Sequence, residues 1–173
     1  MKLKQKVVID FKEFLTTAKF DYLKIGDTKE WVLNNFPDPD SFDEYPDMIK
    51  DDIWRYGNIE LHFHNEALFL IYSDYIQELN GGDSLDLKKW FLEDIQKLTL
   101  LDVISIFNKN HVDYCKKTYT TGQTTVTLDL SSGVKLGFSL EEADGEDTEG
   151  FYERSKSSNQ DIFMLTSFSL MGS

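Results

Sequence analysis

Apolar positions along the chain fall into two alternating regimes, helical spacing followed by strand spacing, and the order occurs twice. Phe11, Phe14, Leu15 and Ala18 sit at i, i+3, i+4 and i+7 behind Asp10, and Asp10 with Glu13 has capping-box spacing. The spacing predicts a first helix over 11–19. Thr28, Val32 and Phe36 place a capping residue ahead of an apolar stripe, so a second helix starts at Thr28 and stops at Phe36, before Pro37. Beyond an acidic, proline-containing stretch (38–51) read as a loop, the periodicity drops to two. Strands are predicted over 53–56, 59–63 and 68–72, with turns at Gly57-Asn58 and Asn65-Glu66.

The second half repeats this order. Leu87, Trp90 and Phe91 copy the spacing of Phe11, Phe14 and Leu15, with Ser84 or Asp86 as the cap of a helix. Thr99, Val103 and Phe107 match Thr28, Val32 and Phe36 residue for residue in spacing, which predicts a helix over 100–108. Strands follow over 112–119, 124–130 and 134–140. A polar loop over 141–161 then leads to a last strand over 162–170. Thr121-Gly122-Gln123 takes the place that Tyr56-Gly57-Asn58 holds in the first half, and Gly81-Gly82-Asp83 is the seam. The expected fold is α+β: tandem helix-helix-antiparallel-sheet units over 1–80 and 81–173, docked as one domain with helices on one sheet face.

Composition narrows the class. Forty per cent of residues are hydrophobic and 14% aromatic, enough for a packed interior in 173 residues. The apolar runs fall far short of the ~20 residues of a membrane helix, and Val7-Val8-Ile9 is too short for a signal core. With a single cysteine, Cys115, these features lead to the expectation of a cytoplasmic protein without disulfides or a membrane partner. The net charge of −13 is concentrated in two places. Asp38, Asp40, Asp43, Glu44, Asp47, Asp51 and Asp52 lie against Lys50 alone. Glu141, Glu142, Asp144, Glu146, Asp147 and Glu149 have no basic neighbour. Such fields repel nucleic acid and steer cationic partners; acidic loops also serve solubility, and both readings stand.

Candidate chemistry is sparse. Glu60, His62 and His64 share a strand face and could supply zinc ligands, or could form an exposed polar row opposite Ile59, Leu61 and Phe63. Cys115 has Lys116 and Lys117 beside it but no assignable His–Asp pair. The acidic segments lack calcium-loop order, and phosphate-loop and nucleophile-elbow motifs are missing. No catalytic site, cofactor or metal is expected, and the chain is read as a non-enzyme. Trp54 and Tyr56 are natural interface anchors beside the acidic residues.

Gly26, Thr28, Val32, Phe36, Pro37 and Pro39 resemble the Gly-x-Thr-x3-Val-x3-Leu-Gly-x-Pro segment of small outer-membrane lipoproteins of the SmpA/OmlA type. The β-lactamase-inhibitor protein family shares that segment and has two copies of a helix-helix-sheet unit. Trp54 to Phe63 also looks like a segment of small bacterial proteins, some associated with toxin–immunity loci. The resemblance implies protein binding on the concave sheet face. The expected function is a bacterial immunity or inhibitor protein that blocks a basic toxin domain, such as a nuclease. Asp38, Asp40, Asp43, Glu44, Trp54, Tyr56, Glu141, Glu142, Asp144 and Asp147 would form the contact. The alternative is a non-catalytic scaffold or regulatory domain with no toxin partner.

Overall fold

In the computed structural model each of the helices opens on the cap its sequence carries. The structure describes residues 6–43, 52–120, 124–140, 150–151 and 159–172. The Asp10 carboxylate accepts the N–H groups of Lys12 and Glu13 to start α1 (Phe11–Thr17). That helix stops short of Lys19 because Ala18 turns left-handed, at φ 60°, and sends its own N–H to the Phe14 carbonyl. Thr28 accepts from the Trp31 N–H to start α2 (Lys29–Asn35). Thr99 and Asp102 close a reciprocal capping box on α3 (Leu100–Lys109).

Strands β1 (Val7–Asp10), β2 (Ser41–Asp43), β3 (Asp52–Tyr56), β4 (Ile59–His64), β5 (Ala67–Ser73) and β6 (Leu85–Lys88) come from the N-terminal part of the chain. Strands β7 (Tyr114–Tyr119), β8 (Thr125–Leu130), β9 (Lys135–Ser139) and β10 (Met164–Met171) follow. The 8-stranded sheet runs β2-β3-β4-β5-β10-β9-β8-β7, antiparallel at every pairing. Its centre is the β5–β10 pair, where Tyr72 faces Ser169 and Ser73 faces Phe168. The fold is α+β, with a large antiparallel sheet. A smaller ribbon pairs β1 with β6 in parallel, Val7 against Leu85 and Ile9 against Leu87.

Three expectations need correction. The stretch read as a loop over 38–51 contains β2, because Phe42 pairs with Trp54 at the sheet edge; residues 44–51 lie outside the described set. The helix expected from Leu87 to Phe91 is not formed. Leu85 and Leu87 alternate and pair with β1, Trp90 sits at φ 56°, which no right-handed helix admits, and residues Trp90–Lys97 then wind as 3₁₀. The turn whose place about the sheet centre matches that of Gly57-Asn58 is at Gly133, between β8 and β9, rather than at residues 121–123, which lie outside the described set.

Two further junctions match closely. The Lys29 N–H bonds the Glu66 carbonyl and the Leu68 N–H the Asp27 carbonyl, both at 2.9 Å, tying the α2 cap to the start of β5. The Leu100 N–H bonds the Phe163 carbonyl (2.7 Å) and the Leu165 N–H the Leu98 carbonyl (3.0 Å), tying the α3 cap to the start of β10. α1, α2 and α3 lie on one sheet face. Phe11 and Phe14 meet the Phe168 ring of β10 edge-on at 5.4 and 5.6 Å, and Phe36 meets Tyr56 of β3 at 5.6 Å. Phe107 of α3 meets Tyr114 of β7 at 6.0 Å. Tyr56 is fully buried, and its hydroxyl donates to the Pro37 carbonyl at 2.8 Å.

The seam is locked by polar groups. The Asp40 carboxylate accepts the Gly57 N–H at one oxygen and the Asp83 N–H at the other, the latter at 3.0 Å. Asn58 completes the knot: its amide donates to the Glu78 carbonyl at 2.8 Å while its oxygen accepts the Asn80 N–H, also at 2.8 Å. Gly82 adopts φ +61°, and a Cβ there would stand 1.6 Å from an Asp40 oxygen.

Asp40→Ala is expected to cost about 1–3 kcal/mol in urea denaturation, because it removes two hydrogen bonds from backbone donors to a charged carboxylate. Gly82→Ala is also destabilising, and the double variant should lose clearly less than the two single losses together, since both act on one contact. Burial, then the charges of Asp38 and Asp40, hold the Tyr56 phenol far above its ordinary 10.0. Below about pH 10 the phenol is neutral in both states. Above that it ionises only when unfolded, so stability falls as pH rises. The urea midpoint of Tyr56→Phe should fall less steeply above pH ~10 than that of the unaltered protein.

Candidate functional site: the uncovered sheet face

α1, α2 and α3 occupy one side of the large sheet, and the strand positions that do not face them lie on the other. Ile59, Leu61 and Phe63 of β4 are buried towards the helices, as are Val126, Leu128 and Leu130 of β8. Between them Glu60, His62, Thr125, Thr127 and Asp129 face outward. The registers align one transverse row across the whole sheet: Ser41, Arg55, Glu60, Tyr72, Ser169, Lys135, Asp129 and Cys115. Alternation holds in β4, β8 and β9, while β5 and β10 each carry one irregularity, at Leu68–Leu70 and at Leu165–Ser167, beyond which Tyr72 and Ser169 still join the row.

Charge on this face is neutralised locally. Arg55 Nε lies 3.0 Å from Glu60 Oε1, and His62 Nε2 lies 2.8 Å from Glu60 Oε2. The His62 ring stands edge-on to Phe69 and to Tyr72, both at 6.2 Å. Burial, then the charges of Asp74 and Glu60 and a hydrogen bond with Asp74, raise the Tyr72 phenol above its ordinary value. On the other half, Lys117 pairs with Asp129, and the Thr127 hydroxyl donates to the same carboxylate at 3.0 Å. Burial pushes the Asp129 carboxyl up. The hydrogen bonds from Lys117 and Thr127, with the charges of Lys135 and Lys117, outweigh it and leave the group below its ordinary range.

Glu60 and His62 form a carboxylate–imidazole pair, the orienting half of many catalytic constellations. Among the described residues, however, no hydroxyl or thiol hydrogen-bonds the His62 ring. Nor does any group of three His, Cys, Asp or Glu side chains among them stand where a metal could be held. His64 turns to Phe69, ring to ring at 6.1 Å, and Glu66 to Lys29 at 3.3 Å. The arrangement can offer hydrogen bonds and flat aromatic area to another macromolecule.

The residues expected at a contact are dispersed. Trp54, only 6% exposed, lies tilted against Phe63 with ring centroids 4.5 Å apart, and Tyr56 is fully enclosed, so both are core residues rather than contacts. Their positions in β3 alternate with Arg55, which takes the outer face instead. Asp38 is exposed at the seam, where its carbonyl accepts the Ser84 hydroxyl (2.6 Å). Asp40 has both carboxylate oxygens engaged by backbone. Asp43 lies in β2 with its side chain outside the described set, and Glu44, Glu141, Glu142, Asp144 and Asp147 lie outside the described residues. The outward Thr positions of β8 went unrecognised, although alternation against their apolar neighbours marks them.

Hollows are modest. A cavity of about 370 Å³ on the outer face is lined by hydroxyls of Thr125, Thr127, Ser139, Thr166 and Ser167 around Gly137. A second, of about 250 Å³, lies beside Asp74 to Glu78 and shares Thr166. A third, about 860 Å³, is an open groove between the loop after α1 and the end of β10, with Leu23, Ile25 and Met171 in its wall. Its Lys19 is already paired with Glu13 at 2.8 Å.

No family model, curated protein or solved structure matches the chain. For the geometry itself, Lys117→Ala should raise the Asp129 pKa, read by carboxyl NMR titration. An unchanged titration would mean that Lys117 does not hold that carboxylate.

Proposed function

We propose that the chain is a protein-binding module, an immunity-type inhibitor that engages a basic partner through the uncovered sheet face. One observation carries this reading: an eight-stranded sheet whose side opposite α1, α2 and α3 is, among the described residues, a polar and aromatic surface on which Arg55 and His62 pair with Glu60 and Lys117 pairs with Asp129. Tyrosine, serine and threonine give contact area and adaptable hydrogen bonds at low entropic cost, as in paratopes. The net charge of −13 then acts at longer range. A negative field speeds the encounter with a cationic protein, and the balanced face supplies the short-range fit. A nuclease domain, whose lysines and arginines grip phosphates, has the complementary charge.

The same reading takes the two halves as degenerate copies of one helix-sheet unit. Support comes from the paired cap-to-strand junctions at Thr28/Ala67 and Thr99/Met164, and from the four strands that each half lays outward from β5–β10. Duplication would provide a wide, gently repeating surface, which suits a protein partner better than a small molecule.

Affinity capture from lysate at low and at high salt, with the captured proteins identified by mass spectrometry, tests the proposal. The expected result is a basic partner that is retained at low salt, reduced at high salt, and lost from a Ser169→Arg variant in the middle of the face. A partner held equally well by Ser169→Arg contradicts the assignment of the face. Capture of acidic proteins only, or of none, contradicts the basic partner and favours a scaffold domain whose acidic loops keep it in solution.

A further inference from the structure

Tyr75 is the most exposed large aromatic side chain among the described residues, at 64%, in a segment otherwise tied down on both sides. Its N–H bonds the Ser73 hydroxyl at 3.3 Å, and the Asn58 amide bonds the carbonyls of Tyr75 (3.3 Å) and Glu78 (2.8 Å). Ile76, at the start of the 3₁₀ turn that follows, is buried beneath it. The ring is therefore projected outward by a fixed backbone, and the order needed for binding is already present.

The cavity beside it, about 250 Å³, is walled by Asp74, Tyr75, Ile76, Gln77, Glu78 and Thr166. That is below the ~300–1,000 Å³ typical of small-molecule sites and is suited to one long side chain. Its wall carries two carboxylates, and among the described residues no lysine or arginine pairs with Asp74 or Glu78. Elsewhere on the face each carboxylate with a described pairing, Glu60 and Asp129, already has a cation. Thr166 continues this cavity into the hydroxyl-lined one at the sheet centre, where Gly137 lets the β10 bulge lie close.

We propose that the Tyr75 cavity is an anchor point of the docking surface, which takes an arginine side chain of the protein partner. The guanidinium would stack on the Tyr75 ring while its N–H groups meet Asp74 and Glu78, an arrangement that uses the planar donors of arginine and the face of the phenol together. The proposal rests on the basic-partner reading and deepens it, because it gives the short-range contact one fixed place beside Tyr75.

Amide NMR of the full chain, titrated with the peptide acetyl-Gly-Arg-Gly-amide and with its glutamate and norleucine counterparts, tests it. The expected result is saturable shifts at Tyr75, Gln77, Glu78 and Thr166 with the arginine peptide alone. Affinity should fall about tenfold in Tyr75→Ala, and fall also in Glu78→Gln, with the rest of each spectrum unchanged. Equal shifts with norleucine, or an arginine response untouched by Tyr75→Ala, overturn the anchor. Shifts confined to 38–52 and 141–149 also overturn it but leave the basic partner standing. Absence of any shift removes the anchor alone, since salt-dependent capture decides the partner separately.

Discussion

The antiparallel pairing of β5 with β10 is the contact on which the rest depends. Each half of the chain contributes four strands to the large sheet, and this one pairing joins them. Behind it Phe168 receives the rings of Phe11 and Phe14, so the first helix of the N-terminal half packs on the last strand of the C-terminal half. The β1–β6 ribbon and the Asp40 knot at the seam cross between the halves as well. Remove the central pair, and two four-stranded sheets each gain an unprotected edge.

Local chemistry made most elements legible. Asp10, Thr28 and Thr99 mark their helices because an N-cap is a one-residue event with a specific hydrogen bond. Alternation located the strands of the large sheet, except β2, whose three residues are too few to show a period. The ribbon was hidden for a different reason. Leu87, Trp90 and Phe91 carry helical spacing, but the partner that makes β6 a strand, β1, lies far away in sequence. A left-handed Trp90 cannot be read from composition either; its ring packs on Phe91 and on Phe107, which lies on α3.

The candidate surface was less legible than the fold. Trp54 and Tyr56 were chosen as anchors for their type, yet period two in β3 sends both inward and Arg55 outward. Net charge pointed to the acidic stretches, and Asp40 there turns out to fasten two backbone donors at the seam. What charge arithmetic conceals is pairing: the uncovered face contains Arg55, Glu60, Lys117 and Asp129, whose charges cancel between neighbours. Net charge and locally paired charge thus reside in different parts of the chain. Recognition of that kind separates the rate of encounter from the specificity of the bound state.

Native-state hydrogen exchange at rising denaturant is the most direct measurement of whether one continuous sheet presents this face. Amides of β4 and β9, one strand out from the central pair on either side, should converge on a single opening free energy that equals the global one. Convergence on two separate values, with one half opening while the other stays closed, would contradict a single binding surface built across both halves.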